Sequence, residues 1–340
     1  MFSPINTDRL VITPVTVDDI EAHHARRNDP EVARYADWTV PFPREHSESL
    51  VEATMGMEGP TDGHWWMASI RLADSNEIIG DVAIHLEWGG RSAEIGYTFA
   101  SDHWGNGYAV ESVEAIVLYL FDTGTSRISG KLHPDNRPSA MVLERNGFRF
   151  EGHTRNSFWV GDEVSDDLIY GLTPDDWEAW QNRPRHTANE IRLVEITHAN
   201  FGDVFALRTH KSQESFVAPM AKSLGQALVP PHEDGHAVQP WFRAVEADGV
   251  VAGFVMLALR GEHQPETFLW RLLIDRMHQR RGIASAALDL VEDELRSMGD
   301  ETVLVSWVDG RGSPRRFYEA RGYEPTGEIE YGEVVARKTL

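Results

Sequence analysis

The chain has no cysteine, which excludes disulfides, thiolate metal sites and a cysteine nucleophile. No apolar run approaches the roughly 20 residues that a membrane helix needs. The segment 1–10 lacks the charged-then-apolar pattern of a secretory leader. We therefore expect a cytoplasmic protein that does not engage membranes. Two nucleotide motifs are also missing: Gly-x-x-x-x-Gly-Lys-Ser/Thr and Gly-x-Gly-x-x-Gly. Positive charge is scarce, with 32 Lys and Arg against 54 Asp and Glu in 340 residues, a formal charge of −22. The imbalance is concentrated early, with 15 cations against 31 anions through residue 185 and 17 against 23 after it. Such a surface repels phosphate backbones, so nucleic acid is not an expected partner, and it attracts cations. Plain solubility explains it equally well.

What is present is a duplication. Gly107, Gly147 and Gly152 recur at Gly282, Gly322 and Gly327, each 175 residues on. Equal spacing at three glycines marks a repeated unit, and a period this long makes each copy a domain rather than a solenoid turn. The length suits about two domains of roughly 150 residues. The polar, proline-containing stretch around Pro184 to Asn189 reads as a linker. The expected domains are 1–183 and 190–340, joined by 184–189. Each opens on a similar strand, at Arg9-Leu-Val-Ile12 and Arg192-Leu-Val-Glu195.

In the first copy, 18–35 reads as a helix with Asp18 as a cap. Residues 65–72, 78–86, 94–100 and 127–133 read as strands. Val110, Val113, Val117 and Leu120 share one helical face after Gly107. Pro138 starts a short helix ended by Gly147, and 158–172 reads as a hairpin turning at Gly161-Asp162. The second copy repeats this order with strands at 242–246, 250–259, 267–274 and 302–308. Its helices follow Gly282 and Pro314. The expected class is mixed α/β, with two tandem folds, each a mostly antiparallel sheet flanked by helices.

A glycine turn between a strand and a helix leaves backbone N–H groups pointing outward at the positive end of the helix dipole, which makes an anion site. Glycine at 107 and 282 lets a phosphate approach the backbone without a Cβ in the way. Arg280 and Arg281 add charge in the second copy. One such loop is usually only a turn. Two loops, each followed at the same distance by a second glycine signature, argue for a shared ligand.

Gln279-Arg-Arg-Gly-Ile-Ala284 resembles the pyrophosphate motif Gln/Arg-x-x-Gly-x-Gly/Ala of the GNAT superfamily of N-acetyltransferases. The first copy resembles the branch that acetylates ribosomal-protein N-termini. The stretches that carry this are Ala93-Glu-Ile-Gly-Tyr97, Trp104-Gly-Asn-Gly-Tyr-Ala109, Pro134-Asp-Asn-Arg-Pro-Ser139 and Leu143-Glu-Arg-Asn-Gly-Phe148. The second copy is a looser match, closest to diamine or polyamine acetyltransferases through Gln213-Glu-Ser-Phe216, Trp270-Arg-Leu-Leu-Ile-Asp275 and Arg316-Phe-Tyr-Glu319.

The resemblance implies a bent sheet split between two strands, with acetyl-CoA as cofactor. Its pantetheine arm would pair near Phe99 and Ile274 like an added strand. Its pyrophosphate would sit on Trp104, Gly105, Asn106, Gly107, Tyr108 and Ala109, and on Gln279, Arg280, Arg281, Gly282, Ile283 and Ala284. Asn136 and Ser139 would bind it near the sulfur. Glu94 is implied as the base of the first copy, and Tyr318 as the general acid of the second. Leu143 stands where Tyr318 would be in the first copy. In the second, Arg311, Pro314 and Leu269 replace Asn136, Ser139 and Glu94, and Glu266 is a poorly placed candidate base.

The implied reaction passes acetyl from a thioester to a primary amine, either an N-terminal peptide amine or a small cationic amine. The runner-up functions are an acyl-CoA sensor without turnover and an acetylase of small molecules such as antibiotics or thiol precursors. The protein is expected as a monomer or homodimer. His232-Glu-Asp-Gly-His236 matches the zinc-protease pattern in letters only. That motif needs a helix, and Pro230-Pro231 before it with Asp234-Gly235 inside it is turn chemistry, so no metal is expected. His23-His24 reads as a helix surface. Trp38, Phe42, Trp65 and Trp66 are candidates for a pocket wall or for core.

Overall fold

Alternating apolar residues and turn residues build two sheets of the same plan. The computed structural model describes residues 2–233 and 235–340, and the chain divides into two compact units between Asn182 and Arg183. In the first unit the strands are β1 Ile5–Asn6, β2 Leu10–Pro14, β3 Trp65–Leu72, β4 Ile78–Glu87, β5 Ser92–Phe99, β6 Arg127–Leu132, β7 Arg149–Val160 and β8 Glu163–Leu172. They form one sheet in the order β1-β2-β3-β4-β5-β6-β8-β7. Its helices are α1 Ile20–Arg27, α2 Pro30–Ala33, α3 Arg44–Met55, α4 Tyr108–Asp122, α5 Arg137–Arg145 and α6 Pro174–Asn182.

The second unit has β9 Ile191–Val194, β12 Gln239–Ala247, β13 Val250–Leu259, β14 Thr267–Ile274, β15 Thr302–Trp307, β16 Glu324–Glu330 and β17 Glu333–Thr339, after a separate two-stranded ribbon, β10 His232–Glu233 and β11 His236–Ala237. Its sheet runs β9-β12-β13-β14-β15-β17-β16, which is the order of β2 to β7 in the first unit. Its helices are α7 Phe201–Ala206, α8 Met220–Leu228, α9 Ile283–Ser297 and α10 Arg315–Glu319.

One pair in each sheet is parallel, β5 with β6 and β14 with β15, and each pairs over only three rungs. The last rungs are Glu94 with Ser129 and Leu269 with Val305. Beyond them β5 and β14 continue along β4 and β13 alone. This is the split. On β4, Gly80 faces Phe99 so closely that a Cβ would lie 2.6 Å from the Thr98 carbonyl oxygen. Gly253 faces Ile274 with the same constraint, 2.5 Å from the Leu273 oxygen. Glycine is required at both.

The helix expected over 18–35 is broken. A 3-10 turn at Val17–Asp19 precedes α1, and Asp29 caps α2 through the Glu31 amide, with Pro30 at its first position. Proline cannot continue the hydrogen-bond ladder of α1, so a new start is made there. His23 is also corrected: it is buried, not a surface residue. Helices α3, α6, α7 and α8 and the hairpin β16–β17 lie outside the elements read from the sequence.

Helix α4 packs Val113, Ile116, Val117 and Leu120 on one face of the first sheet with Ile95, Phe99 and Ile128. Helix α9 does the same with Ile283, Ala287, Leu288 and Val291 against Val255, Leu257 and Leu269. The opposite face of the second sheet carries a separate apolar cluster, Phe254, Met256 and Leu273 with Val204 and Met220. On the ribbon, His232 faces Ala237 and Glu233 faces His236, so these histidines are not on a helix. Asp234 of that motif lies outside the described residues. Among the described residues no metal-binding group of three ligands occurs, and no helix is long and apolar enough to cross a membrane.

Candidate active site

The two loops entering α4 and α9 have the same conformation. Gly107 and Gly282 cap their helices at φ 83° and 78°, the left-handed region that favours glycine. Gly105, at φ 84°, corresponds to Arg280, at φ 62°. A Cβ on Gly105 would meet nothing, and one on Gly107 or Gly282 would meet only Arg9 or Thr187, both at 3.5 Å. The space above each loop is therefore open, and the amides at the start of each helix face it. Tyr108 and Ala109, and Ile283 and Ala284, begin those helices. Ile283 has its side chain in the core, so it offers the loop its backbone.

The first residue of each loop does the same job with different chemistry. The Trp104 indole N–H donates to the Phe99 carbonyl at 2.8 Å. The Gln279 amide donates to the Ile274 carbonyl at 3.1 Å. Both tie the loop to the end of the split strand, so an indole in the glutamine position keeps the bond. The carbonyls of Phe99 and Ile274 are thereby engaged, which leaves their amides and the groups two residues back for an added strand. Gln279 is held further by Gln213, one amide group bonding the other.

Arg9 braces the first loop, donating to the Asn106 carbonyl at 2.9 Å, pairing with Glu111 and lying over the Tyr108 ring. In the second unit Arg281 has this bracing part. It is 3% exposed, is paired with Asp248 at 2.6 Å and donates to the His186 carbonyl. The expectation that both arginines add charge beside Gly282 is corrected here: Arg280 is exposed, whereas the Arg281 guanidinium is turned inward and committed.

Beside the split, Asn136 caps α5 by accepting from the Ser139 amide at 3.3 Å. The Ser139 hydroxyl lies 3.0 Å from the Tyr97 hydroxyl, and burial pushes the Tyr97 phenol above its ordinary value. Leu143 is core. On the face away from α4, Glu94 receives a hydrogen bond from Lys131 at 2.8 Å. That bond holds the Lys131 ammonium above its usual range. Trp65 lies over His85, the cross-strand neighbour of Glu94. Trp66 is fully buried core, while the Arg27 guanidinium lies over the Trp38 ring and near the Phe42 ring, which meet edge to face. Sequence reading missed Lys131; the two-residue alternation of β6 is the signal that could have found it.

Further along the same face lies a buried polar network. Arg26 pairs with Asp81, and the Thr98 hydroxyl donates to Asp81 at 2.9 Å. Burial pushes the Asp81 carboxyl up, but Arg26, Arg27 and His23 outweigh it and hold it below the usual carboxylate range. Burial, reinforced by Arg27 and Arg26 against Asp81, lowers His23 from 6.5 to about 4.

In the second unit Tyr318 is 7% exposed on α10, stacked on Trp307 and edge-on to Tyr323. Burial pushes its phenol up, so it stays protonated and can donate a hydrogen bond but not act as a base. The substitution of Leu269 for Glu94 is not a like-for-like exchange. A bulge leaves Trp270 without a cross-strand partner, which reverses the alternation. Leu269 turns to the α9 core, and Trp270 packs on the opposite face. Glu266 is held by Arg337 and Thr302, away from the split.

Residues 9–149 match a family model described as acetyltransferase (GNAT) domain, and residues 206–323 match one described as acetyltransferase (GNAT) family. The uncharacterized N-acetyltransferase YoaA of Bacillus subtilis is 32% identical over 174 residues, covering 51% of this chain and 97% of the relative. The ribosomal-protein-serine acetyltransferase of Escherichia coli is 30% identical over 97 residues, 28% of this chain and 54% of that protein. A solved acetyltransferase of the GNAT family from Bacillus anthracis is 28% identical, covers 51% of this chain and 99% of its own, and has a TM-score of 0.45. The open glycine loops and split sheets suit acetyl-CoA, the acyl donor of these enzymes, and the chain belongs to the GNAT family of N-acetyltransferases, with two such domains in tandem.

Proposed function

We propose that this protein acetylates a primary amine by direct attack on the thioester, with residues 1–183 as the principal catalytic domain, 190–340 as a second domain and 184–189 as linker. The observation that carries this is the position of Glu94. It stands at the last rung before the split, on the face away from the cofactor helix, where an acceptor has access. When bound, acetyl-CoA supplies the acetyl group as an activated thioester. The loops at 104–109 and 279–284 hold its pyrophosphate on their amides, with Arg280 adding charge. Asn136 and Ser139 orient the end near the sulfur, Ser139 being fixed by Tyr97.

A free amine with pKa near ~10.4 arrives protonated. Glu94, a far weaker base, takes the proton released as the neutral amine attacks the thioester, directly or through water, and Lys131 holds its carboxylate in place by a hydrogen bond. The rate should rise with pH as the acceptor loses its proton. In the second domain Tyr318, kept protonated by burial, would offer its hydroxyl to the sulfur end of the acyl donor. The acidic first half favours a cationic amine or a peptide N-terminus, as the names of relatives such as the ribosomal-protein-serine acetyltransferase suggest. Binding without turnover is the competing reading for the second domain, and Trp270 in place of a carboxylate on the acceptor face favours it.

The test is thiol release from acetyl-CoA by the full chain over a panel of amines and N-terminal peptides, with acceptor-free release subtracted. Glu94→Gln should lower turnover of the best acceptor on the order of 10²-fold. Undiminished turnover removes Glu94 from the mechanism.

A further inference from the structure

On the face opposite the cofactor helix, the first unit carries carboxylates paired with cations, Glu94 with Lys131 and Asp81 with Arg26, and the second carries Arg271 without an ion pair among the described residues. The bulge in β14 turns Trp270 to this face, and Arg271 follows it, paired across the ladder with Met256. Arg271 stands two residues past the last rung at Leu269, beside the split. Its guanidinium donates to Gln226 Oε1 on α8 at 3.0 Å and to the Trp270 carbonyl at 2.6 Å, and it lies 5.5 Å from the Trp270 ring centre. Its Nε–H is shut off from water and has no partner. No carboxylate is within ion-pair distance among the described residues. Glu333, which acts on it through space, accepts a hydrogen bond from Ser306 instead. A part-buried guanidinium with a shielded, unused donor is unfavourable unless an acceptor completes it.

We propose that the second domain binds a carboxylate-bearing amine, an amino acid, and that Arg271 holds its carboxylate. A guanidinium fork matches a carboxylate in two parallel hydrogen bonds; the Nε–H lies beneath the surface, so it supplies one of them once the side chain shifts to admit the ligand. Gln226 fixes the fork from α8. Trp270 and Phe242, both packed on the apolar cluster under α8, offer an apolar wall to the rest of the molecule. A tie between β14 and α8 would need only the Gln226 bond and gives Nε no use. The assignment departs from the diamine acceptors suggested by the looser resemblance, because a second ammonium would meet Arg271. It rests on the reading that the face opposite α9 is the acceptor side.

The experiment is calorimetry on the full chain with coenzyme A saturating, using the standard α-amino acids, their decarboxylated amines and inorganic phosphate. At least one amino acid should bind about tenfold or more tightly than its own decarboxylated amine. Arg271→Met should abolish that difference, and Arg271→Lys should retain part of it. If the bound amino acid is turned over, Arg271→Met should raise KM with kcat within a few-fold. Binding of no amino acid overturns the proposal, as does an amine that binds equally well, phosphate that binds more tightly than every amino acid, or a preference that survives Arg271→Met. The wild-type comparison needs no variant, so a misfolded substitution does not decide the outcome. Coenzyme A stoichiometry in the same titrations separates this from failure of the cofactor reading, which would give none bound.

Discussion

Under its first helix the first unit buries charge, and at the matching place the second buries hydrocarbon. Asp81 and Thr98 are cross-strand partners beneath α1, bonded to Arg26. Phe254 and Leu273 are the corresponding partners, packed with Val204 and Met220. The strand order, the glycine opposite the split strand and the loop conformation are the same on both sides of this comparison. The fold therefore does not require the ion pair. A buried pair is weak evidence for stability, and an apolar replacement of similar volume is often at least as stable. In the first unit the pair sets fixed charge on the face turned away from α4, under α1. Next to its apolar counterpart, the second unit has Arg271, two residues along β14 from Leu273 and without an ion pair among the described residues.

The comparison breaks most completely at the loops. Gly107→Trp places a side chain at φ 83°, where L-residues are strained, and fills the open space above the helix start. Coenzyme A stoichiometry on the full chain should fall from two to one, and the same should hold for Gly282→Trp. Turnover that persists in one variant and disappears in the other assigns activity to a unit. If Gly107→Trp leaves amine acetylation intact while Gly282→Trp ends it, the first unit is the wrong choice.

Tyr318→Phe should lower turnover by the second unit about 10²-fold with coenzyme A affinity nearly unchanged. Equal rates would make Tyr318 a packing residue, as Leu143 is in the first unit. The buried network offers a difference in pH response. His23 titrates near 4 in the fold against 6.5 for the free side chain. Its neutral form is the one that fits, so its contribution is complete above pH 6.5 and is lost as pH falls toward 4. The loss is on the order of 3 kcal/mol at the low end. Unfolding of the full chain between pH 7 and 4 should show this slope, and His23→Gln should flatten it. A slope that survives the substitution points elsewhere in the network.

The smallest effect is expected at the paired loop bonds. Trp104→Phe removes the bond to the Phe99 carbonyl and should weaken coenzyme A binding by a few-fold, about 1 kcal/mol. Trp104→Gln should restore most of it if the two units are interchangeable at this position. A glutamine no better than phenylalanine would mean that the indole ring, rather than its N–H, is what the first loop needs.

The glycine spacing made most of the architecture legible, because both copies keep the loop and the following helix without a gap. The break at Pro30 was present in the sequence as a proline inside an otherwise helical pattern. Helices α3 and α8 were not, since Arg44–Met55 mixes polar residues through its apolar face and Met220–Leu228 holds a glycine and small residues. The bulge at Trp270 was the costliest omission. No glycine or proline marks it, and a single unpaired residue exchanges the faces of everything before it. Counting 175 from Glu94 arrives at Leu269, which is correct along the chain and on the wrong side of the sheet. Arg281 misled for a related reason: a residue type suited to phosphate says nothing about an aspartate 33 positions away that takes it.

The split has a consequence for how the chain behaves when empty. Past Glu94 and Leu269, alternate backbone groups of β5 and β14 face a gap, so each sheet carries an edge in its middle. Edges of this kind invite pairing with any extended chain, and they exchange their amide hydrogens with water. A bound molecule that runs along the gap works as a removable strand, sealing the amides of Phe99 and Ile274 from solvent. Folding and ligand concentration are then linked by mass action, with apparent stability rising logarithmically once ligand exceeds its dissociation constant. The abundance of acyl donor would thus govern how long the chain persists as well as how fast it works.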